Sequence, residues 1–238
     1  MKAKRIFVTG ATGGIGAAVV QKLLNSGHSV VGGDILTAEE SEFVKDGLAY
    51  DFHKFDICDM NECQKVIAKA AETLGGLDCI VNVAGVCFGG DPETADEDEW
   101  AKTFDINVKG VFQFTKAALP FLKQQDRADI INISSIWGVD HNPNLLSYSS
   151  SKFAIEGYSG GLRQWGMTQN IRVCALQVDK VDTGFRRNLG AAGELPKEKL
   201  ADMLTSEDVA EAVDFVLSTK ATSQVSSMRL DAPLWYQD

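Results

Sequence analysis

Apolar positions along the chain fall into short β-branched or aromatic runs that alternate with longer stretches of helical spacing. Ile6, Phe7 and Val8 centre a run over 4–9 that stops at glycine, which predicts a buried strand. Ile15, Val19, Leu23 and Leu24 then recur at the period of a helix over 14–25. Strands follow over 28–34 and, more weakly, 50–56, with a helix over 61–74 and a strand over 77–82. The second half reads as helical segments over 100–107 and 111–122, a strand over 128–134, a helix over 147–166 and a strand over 171–178. A helix over 206–218, with Ser206 as N-cap, and a last strand over 225–230 complete the pattern. Pro120 should kink or end its helix. Strand and helix alternating over the whole length imply a parallel α/β sheet covered on both faces. No linker, repeat or low-complexity tract interrupts it, so residues 1–238 read as a single domain.

Composition narrows the function classes. Acids outnumber bases 33 to 23, a formal charge of −10, which argues against a nucleic-acid partner because phosphate binding needs a basic face. The apolar run after Lys4 and Arg5 is too short for a signal peptide, and no stretch is long enough to span a membrane. Cys58, Cys63, Cys79, Cys87 and Cys174 are odd in number and lack metal-ligand spacing. Reduced thiols in a cytoplasmic setting are expected, with no metal.

Three features carry chemistry. Gly10, Thr12, Gly13, Gly14, Ile15 and Gly16 lie at the first strand-to-helix turn. Glycine there lets backbone N–H groups approach a pyrophosphate at a helix N-terminus, although a tight turn alone would also use it. Asp34 ends the second strand, 18 residues beyond Gly16. An acid at that place accepts ribose hydroxyls and repels a 2′-phosphate, favouring NAD over NADP. Tyr148 and Lys152 are i and i+4 on a predicted helix and so share a face, where the ammonium is expected to lower the phenol pKa.

Together these residues resemble the short-chain dehydrogenase/reductase family over nearly the whole chain. The family's T-G-x-x-x-G-x-G matches Thr9, Gly10, Gly14 and Gly16, and its Asn-x-Ala-Gly matches Asn82, Ala84 and Gly85. Asp56 and Ile57 match the adenine-facing position, Asn107 the helix asparagine, and Ser135, 13 residues before Tyr148, the serine. The resemblance implies a Rossmann-like doubly wound sheet binding NAD. It implies hydride transfer to or from a small secondary alcohol or ketone. Tyr148 is then the acid/base, Lys152 its partner and ribose contact, Ser135 the oxygen-stabilising hydroxyl and Asn107 the holder of a water. A catalytically silent dinucleotide sensor or scaffold is the alternative. A homodimer or homotetramer through the two long helices is implied too, with Phe112, Phe114, Phe153 and Leu162 as candidate contacts unless they pack inward.

Two departures stand out. Val178-Asp179 replaces the family's Pro-Gly, while Thr183 keeps its place near the carboxamide. Asp179 and Lys180 either reshape the pocket or lie in solvent. The chain also ends in Trp235 and Tyr236, which pack either on a neighbouring subunit or on their own. Ser135, Trp137, His141 and Tyr148 are the expected substrate contacts. Ile136, Val139, Gln177, Phe185, Leu189 and Met203 are further candidates for the lining. Residues 184–204, including Arg186, Arg187, Gly190 and Gly193, read as a mobile cover. The six acids within 91–99 suit a helix start better than a metal site.

Overall fold

In this computed structural model, residues 3–41, 50–185, 189 and 195–236 are described. The strand runs assemble into one parallel sheet: β1 (Arg5–Thr9), β2 (Ser29–Asp34), β3 (Asp51–Lys54), β4 (Cys79–Asn82), β5 (Ala128–Ile133), β6 (Ile171–Val178) and β7 (Ser227–Leu230). Their order is β3-β2-β1-β4-β5-β6-β7, so the direction of winding reverses between β1 and β4. The connecting helices are α1 (Gly14–Asn25), α2 (Met60–Leu74), α3 (Glu97–Phe104), α4 (Val111–Leu122), α5 (Leu146–Gly166), α6 (Lys197–Leu200) and α7 (Ser206–Ser218).

Period-two alternation explains why the strands need both faces covered. Ile6, Val8, Val81 and Ile131 pack against Val19 and Leu23 of α1 and Val209 and Val213 of α7. Their neighbours Phe7, Ile80 and Ile130 face the other way, onto Ile67 of α2 and Phe114 and Leu122 of α4. Every residue of β5 is buried. A single domain with two core layers results, its parallel strands all delivering their carboxyl ends to one edge.

Several boundaries move for local reasons. Strand β3 stops at Lys54, because Phe55, Asp56 and Ile57 leave the sheet to form the rim of a cavity. Helix α3 starts at Glu97 rather than residue 100, since the Asp96 carboxylate accepts the Glu99 N–H at 2.9 Å and caps it. Glu97, Asp98 and Glu99 then occupy its first turn, where the macrodipole favours acids. No break separates α3 from α4: a π-helical stretch, Asp105–Gly110, joins them. Pro120 lies inside α4, which ends two residues later. The cap of α7 is Thr205, not Ser206, in a reciprocal capping box with Asp208. Helix α6 falls inside the segment 184–204 expected to be a mobile cover. Arg186, Arg187, Gly190 and Gly193 of that segment lie outside the described residues. Among the described residues, no helix is long and apolar enough to cross a membrane.

Candidate active site

Loops leaving the carboxyl ends of β1 to β6 surround one cavity of about 570 Å³. It lies at the point where the sheet reverses its winding, the place where open α/β sheets bind ligands. Gly10 has φ +66°, and a Cβ there would lie 2.7 Å from the backbone nitrogen of Ala84, so the first loop and the loop after β4 touch through backbone alone. A Cβ on Gly14 would meet the Thr183 methyl at 2.9 Å, which seats the loop after β6 directly on the glycine turn. Helix α1 has no side-chain cap and no acid in its first turn, and Gly13, Gly14, Ile15 and Gly16 at its start line the cavity. Its N-terminal N–H groups and positive dipole end are thus left to face the cavity, an environment that fits a pyrophosphate.

Asp34 closes the adjoining end. Its carboxylate accepts N–H groups from Thr12 at 3.1 Å and Ile35 at 2.7 Å, and it lines the cavity with Glu40 and Ser41. Asp56 accepts the Cys58 N–H at 2.8 Å, and with Ile57 lines the same side. Val178, Ala84 and Gly85 also line the cavity.

At the opposite end, α5 brings Tyr148 and Lys152 beneath the loop that carries Ser135. Both are buried in the cavity wall. Lys152 Nζ donates to the Ile133 carbonyl at 2.9 Å and lies 5.5 Å from the centre of the Tyr148 ring. Burial pushes Lys152 down to about 8, against nearby Cys87 and Glu156, so it stays charged at neutral pH. Tyr148 departs from the sequence expectation. Burial, reinforced by Cys87, drives its phenol well above the ordinary range, and a hydrogen bond with Ser135 only partly opposes this. The i, i+4 spacing does put the two side chains together. The ammonium, however, is turned to a backbone carbonyl, and desolvation of the phenol dominates.

Three expected site residues do not line the cavity. Asn107 is buried in the π stretch, where its side chain accepts the Val86 N–H at 2.8 Å and donates to the Val86 carbonyl at 2.9 Å and Ser151 Oγ at 3.0 Å. It fixes the loop after β4 to α5 from behind. Asn82 is also buried, donating to Asn132 of β5 at 2.8 Å and to Thr115 of α4 at 3.3 Å. Its neighbours Val83 and Ala84 line the cavity instead, their N–H groups held by Thr9 Oγ1. His141 is exposed and packs its ring 5.3 Å from that of Phe153, away from the cavity. Of the further candidates for the lining, Phe185 and Leu189 reach the cavity, whereas Ile136 and Met203 are buried elsewhere in the fold. Phe114 belongs to the core and Leu162 packs against it, whereas Phe112 and Phe153 are exposed.

Sequence reasoning left the segment after β6 open, and the structure resolves it. Asp179 is buried rather than solvated, and Lys180 lines the cavity beside Trp137. Trp235 and Tyr236 fold back onto their own chain, with their rings 5.2 and 4.7 Å from Lys180 Nζ. Cys87, near enough to perturb both Tyr148 and Lys152, also lines the cavity and had no signal in the sequence beyond its place after Gly85.

A family description, short chain dehydrogenase, matches residues 4–193. The chain belongs to that family, and it is an oxidoreductase of the nicotinamide-dinucleotide-binding kind. A 3-ketodihydrosphingosine reductase of Bacteroides thetaiotaomicron is 34% identical over 188 residues, which cover 79% of this chain and 68% of that protein. A 3-ketoacyl-(acyl-carrier-protein) reductase from Brucella melitensis, solved with NADH, superposes with a TM-score of 0.86 at 22% identity over 98% of each chain. The protein ElxO, solved with NADP, gives 0.85 at 22% identity over 99% of this chain and 100% of its own. At these identities the two structures speak for the fold alone.

Proposed function

We propose that the protein transfers a hydride between NAD(H) and a small secondary alcohol or carbonyl compound, with Tyr148 as the acid/base. The observation that carries this reading is the convergence of Ser135, Tyr148 and Lys152 at one end of the cavity whose other end is built from an uncapped helix N-terminus and Asp34. When bound, the dinucleotide supplies or accepts the hydride. Because its phenol is held protonated, Tyr148 is ready to deliver a proton to the oxygen of a carbonyl under reduction. In oxidation it takes that proton back, and the Lys152 cation stabilises the tyrosinate that forms. Ser135 Oγ donates to the substrate oxygen as charge develops there. Asn107 acts from behind, holding Val86 and Ser151 in place.

Asp34 supports the choice of NAD. Its carboxylate accepts backbone N–H groups of Thr12, Ile35 and Leu36, and among the described residues no lysine or arginine lines that end of the cavity to receive a 2′-phosphate. Phe112 and Phe153, exposed on α4 and α5, support assembly through those helices. The test of function is Tyr148→Phe, assayed by absorbance of the reduced nicotinamide over secondary alcohols and ketones. Turnover falls by about 10²–10⁴-fold, the usual worth of a positioned acid/base, while dinucleotide binding by fluorescence stays within twofold. Retained turnover refutes the role.

A further inference from the structure

The segment that replaces Pro-Gly builds a polar cluster unlike the rest of the substrate end of the cavity, where Val86, Leu145, Phe185 and Leu189 are apolar. Asp179, its side chain 0% exposed, is the hub. Its carboxylate accepts Lys180 Nζ at 3.0 Å, the Tyr236 hydroxyl at 3.0 Å and the Ala232 N–H at 3.2 Å. Lys180 Nζ also donates to the Tyr236 oxygen at 3.0 Å. The ammonium is caged by three rings, Tyr236 at 4.7 Å, Trp235 at 5.2 Å and Trp137 at 5.6 Å. The backbone of Lys180 is tied down as well, its carbonyl accepting the Leu204 N–H at 2.9 Å.

This arrangement holds a partly buried cation, its side chain 16% exposed, at one place in the cavity wall. Aromatic faces stabilise the charge without occupying its N–H groups. Among the described residues, oxygen atoms take two of the three N–H bonds, which leaves one donor. Lys180 and Lys152 are the only lysines described in the cavity wall, and Lys152 is turned to the Ile133 carbonyl beside Tyr148. Trp137, which touches Lys180, also donates its backbone N–H to Ser135 Oγ at 3.2 Å. Trp137 thus links the ammonium, through its ring, to the hydroxyl that would hold the reacting oxygen, through its backbone.

We propose that Lys180 is a specificity-determining residue that receives an anionic group of the substrate, a carboxylate, beside the reacting carbon. Asp179, Trp235 and Tyr236 are the positioning residues that keep it there. The proposal rests on the oxidoreductase reading above. It requires no new chemical step, only a charge-assisted hydrogen bond at the cavity wall.

The experiment compares 2-, 3- and 4-hydroxycarboxylates with their methyl esters as substrates, using NAD and the wild type, Lys180→Met, Lys180→Arg and Tyr236→Phe. The wild type favours at least one acid over its ester by tenfold or more in kcat/KM. Lys180→Met removes that preference through KM, leaving kcat and ester turnover within threefold. Lys180→Arg restores part of the preference, and Tyr236→Phe weakens it. Equal use of acid and ester by the wild type, or an equal loss on both in Lys180→Met, overturns the proposal in favour of a strap for the tail. If nothing is turned over, tryptophan emission is titrated with 3-hydroxybutyrate and its methyl ester in the presence of NADH. A carboxylate-specific change in the wild type that Lys180→Met abolishes upholds the anion site even though the Tyr148 reading fails. No such change overturns both.

Discussion

Replacing Lys152 with methionine isolates the cost of burying its charge. The folded protein holds Lys152 at about 8 against an ordinary 10.5, because burial outweighs its acidic neighbours. A lysine depressed in this way binds fewer protons folded than unfolded between those two values, so its contribution to stability rises with pH across that window. Below the folded value the ammonium is charged in both states and folding bears the full desolvation; above the unfolded value it is neutral in both. At about 1.4 kcal/mol per pH unit, the difference is on the order of 3 kcal/mol, most of it recovered by about pH 10. Other buried groups pull the opposite way. Desolvation first, then nearby charges, lifts the Cys58 thiol to about 11 and the Cys63 and Cys174 thiols to about 12. They keep protons that unfolded thiols lose from an ordinary 9.0, as does Tyr148 above its own ordinary 10.0. Absolute stability therefore falls in alkali, and only the difference between variant and wild type reports Lys152. The assay is urea unfolding followed by circular dichroism at half-unit steps from pH 7 to 10. Lys152→Met is the more stable of the two at pH 7, apart from a pH-independent term for the Ile133 carbonyl left without its donor, and the advantage shrinks steadily toward pH 10. Parallel profiles for the two proteins would refute a buried, depressed Lys152.

Two other substitutions probe the remaining supports of the cavity. Asp34→Ala removes the carboxylate that should repel a 2′-phosphate, so the ratio of NADPH to NADH affinity, read by nucleotide fluorescence, rises by about tenfold or roughly 1.4 kcal/mol; an unchanged ratio removes Asp34 from cofactor choice. Asn107→Leu leaves the Val86 N–H and carbonyl without their partners, and at about 1–3 kcal/mol for a buried unsatisfied group it lowers the unfolding free energy by roughly 3 kcal/mol in urea titrations. A loss below about 1 kcal/mol would mean that water or the backbone satisfies Val86 instead.

The sheet was legible because its central strands are buried on both faces and centred on short apolar runs, Ile6-Phe7-Val8 in β1 and Ile130, Ile131 and Ile133 in β5. Strand β3 was faint for the same reason in reverse: it contributes Asp51, His53 and Lys54 at the sheet margin, none of them fully buried. The helix starts that misled are those where the capping residue is masked by its neighbours. Asp96 both belongs to a charged run and caps α3, and Thr205 precedes a serine that looks equally suited to the cap. The π stretch at Asp105–Gly110 has no periodicity of its own to announce it, yet it is what turns Asn107 inward to Val86.

The site divides along the same line, between contacts set by local spacing and contacts that only the fold creates. Gly10, Gly14 and Gly16 cluster within one turn, and Tyr148 and Lys152 are one helical turn apart, so sequence alone brings each group together. It says nothing of what the Lys152 ammonium faces, which is the carbonyl of Ile133 on β5, nor of how deeply the phenol is buried, and that burial is what pushes Tyr148 upward. The Lys180 cage joins residues from the loop after β5, the loop after β6 and the C-terminal turn, with Lys180 and Tyr236 separated by 56 positions. Asp179 could be read in advance as a charge out of place, but a buried carboxylate is tolerated only when its partners are supplied. Here the C-terminal turn supplies two of the three, so the substitution at 179 and the aromatic end of the chain are one feature. Changing either alone takes a hydrogen-bond partner from the other, and for that reason Tyr236→Phe, which leaves Asp179 only Lys180 and the Ala232 N–H, should loosen Lys180 at the cavity wall.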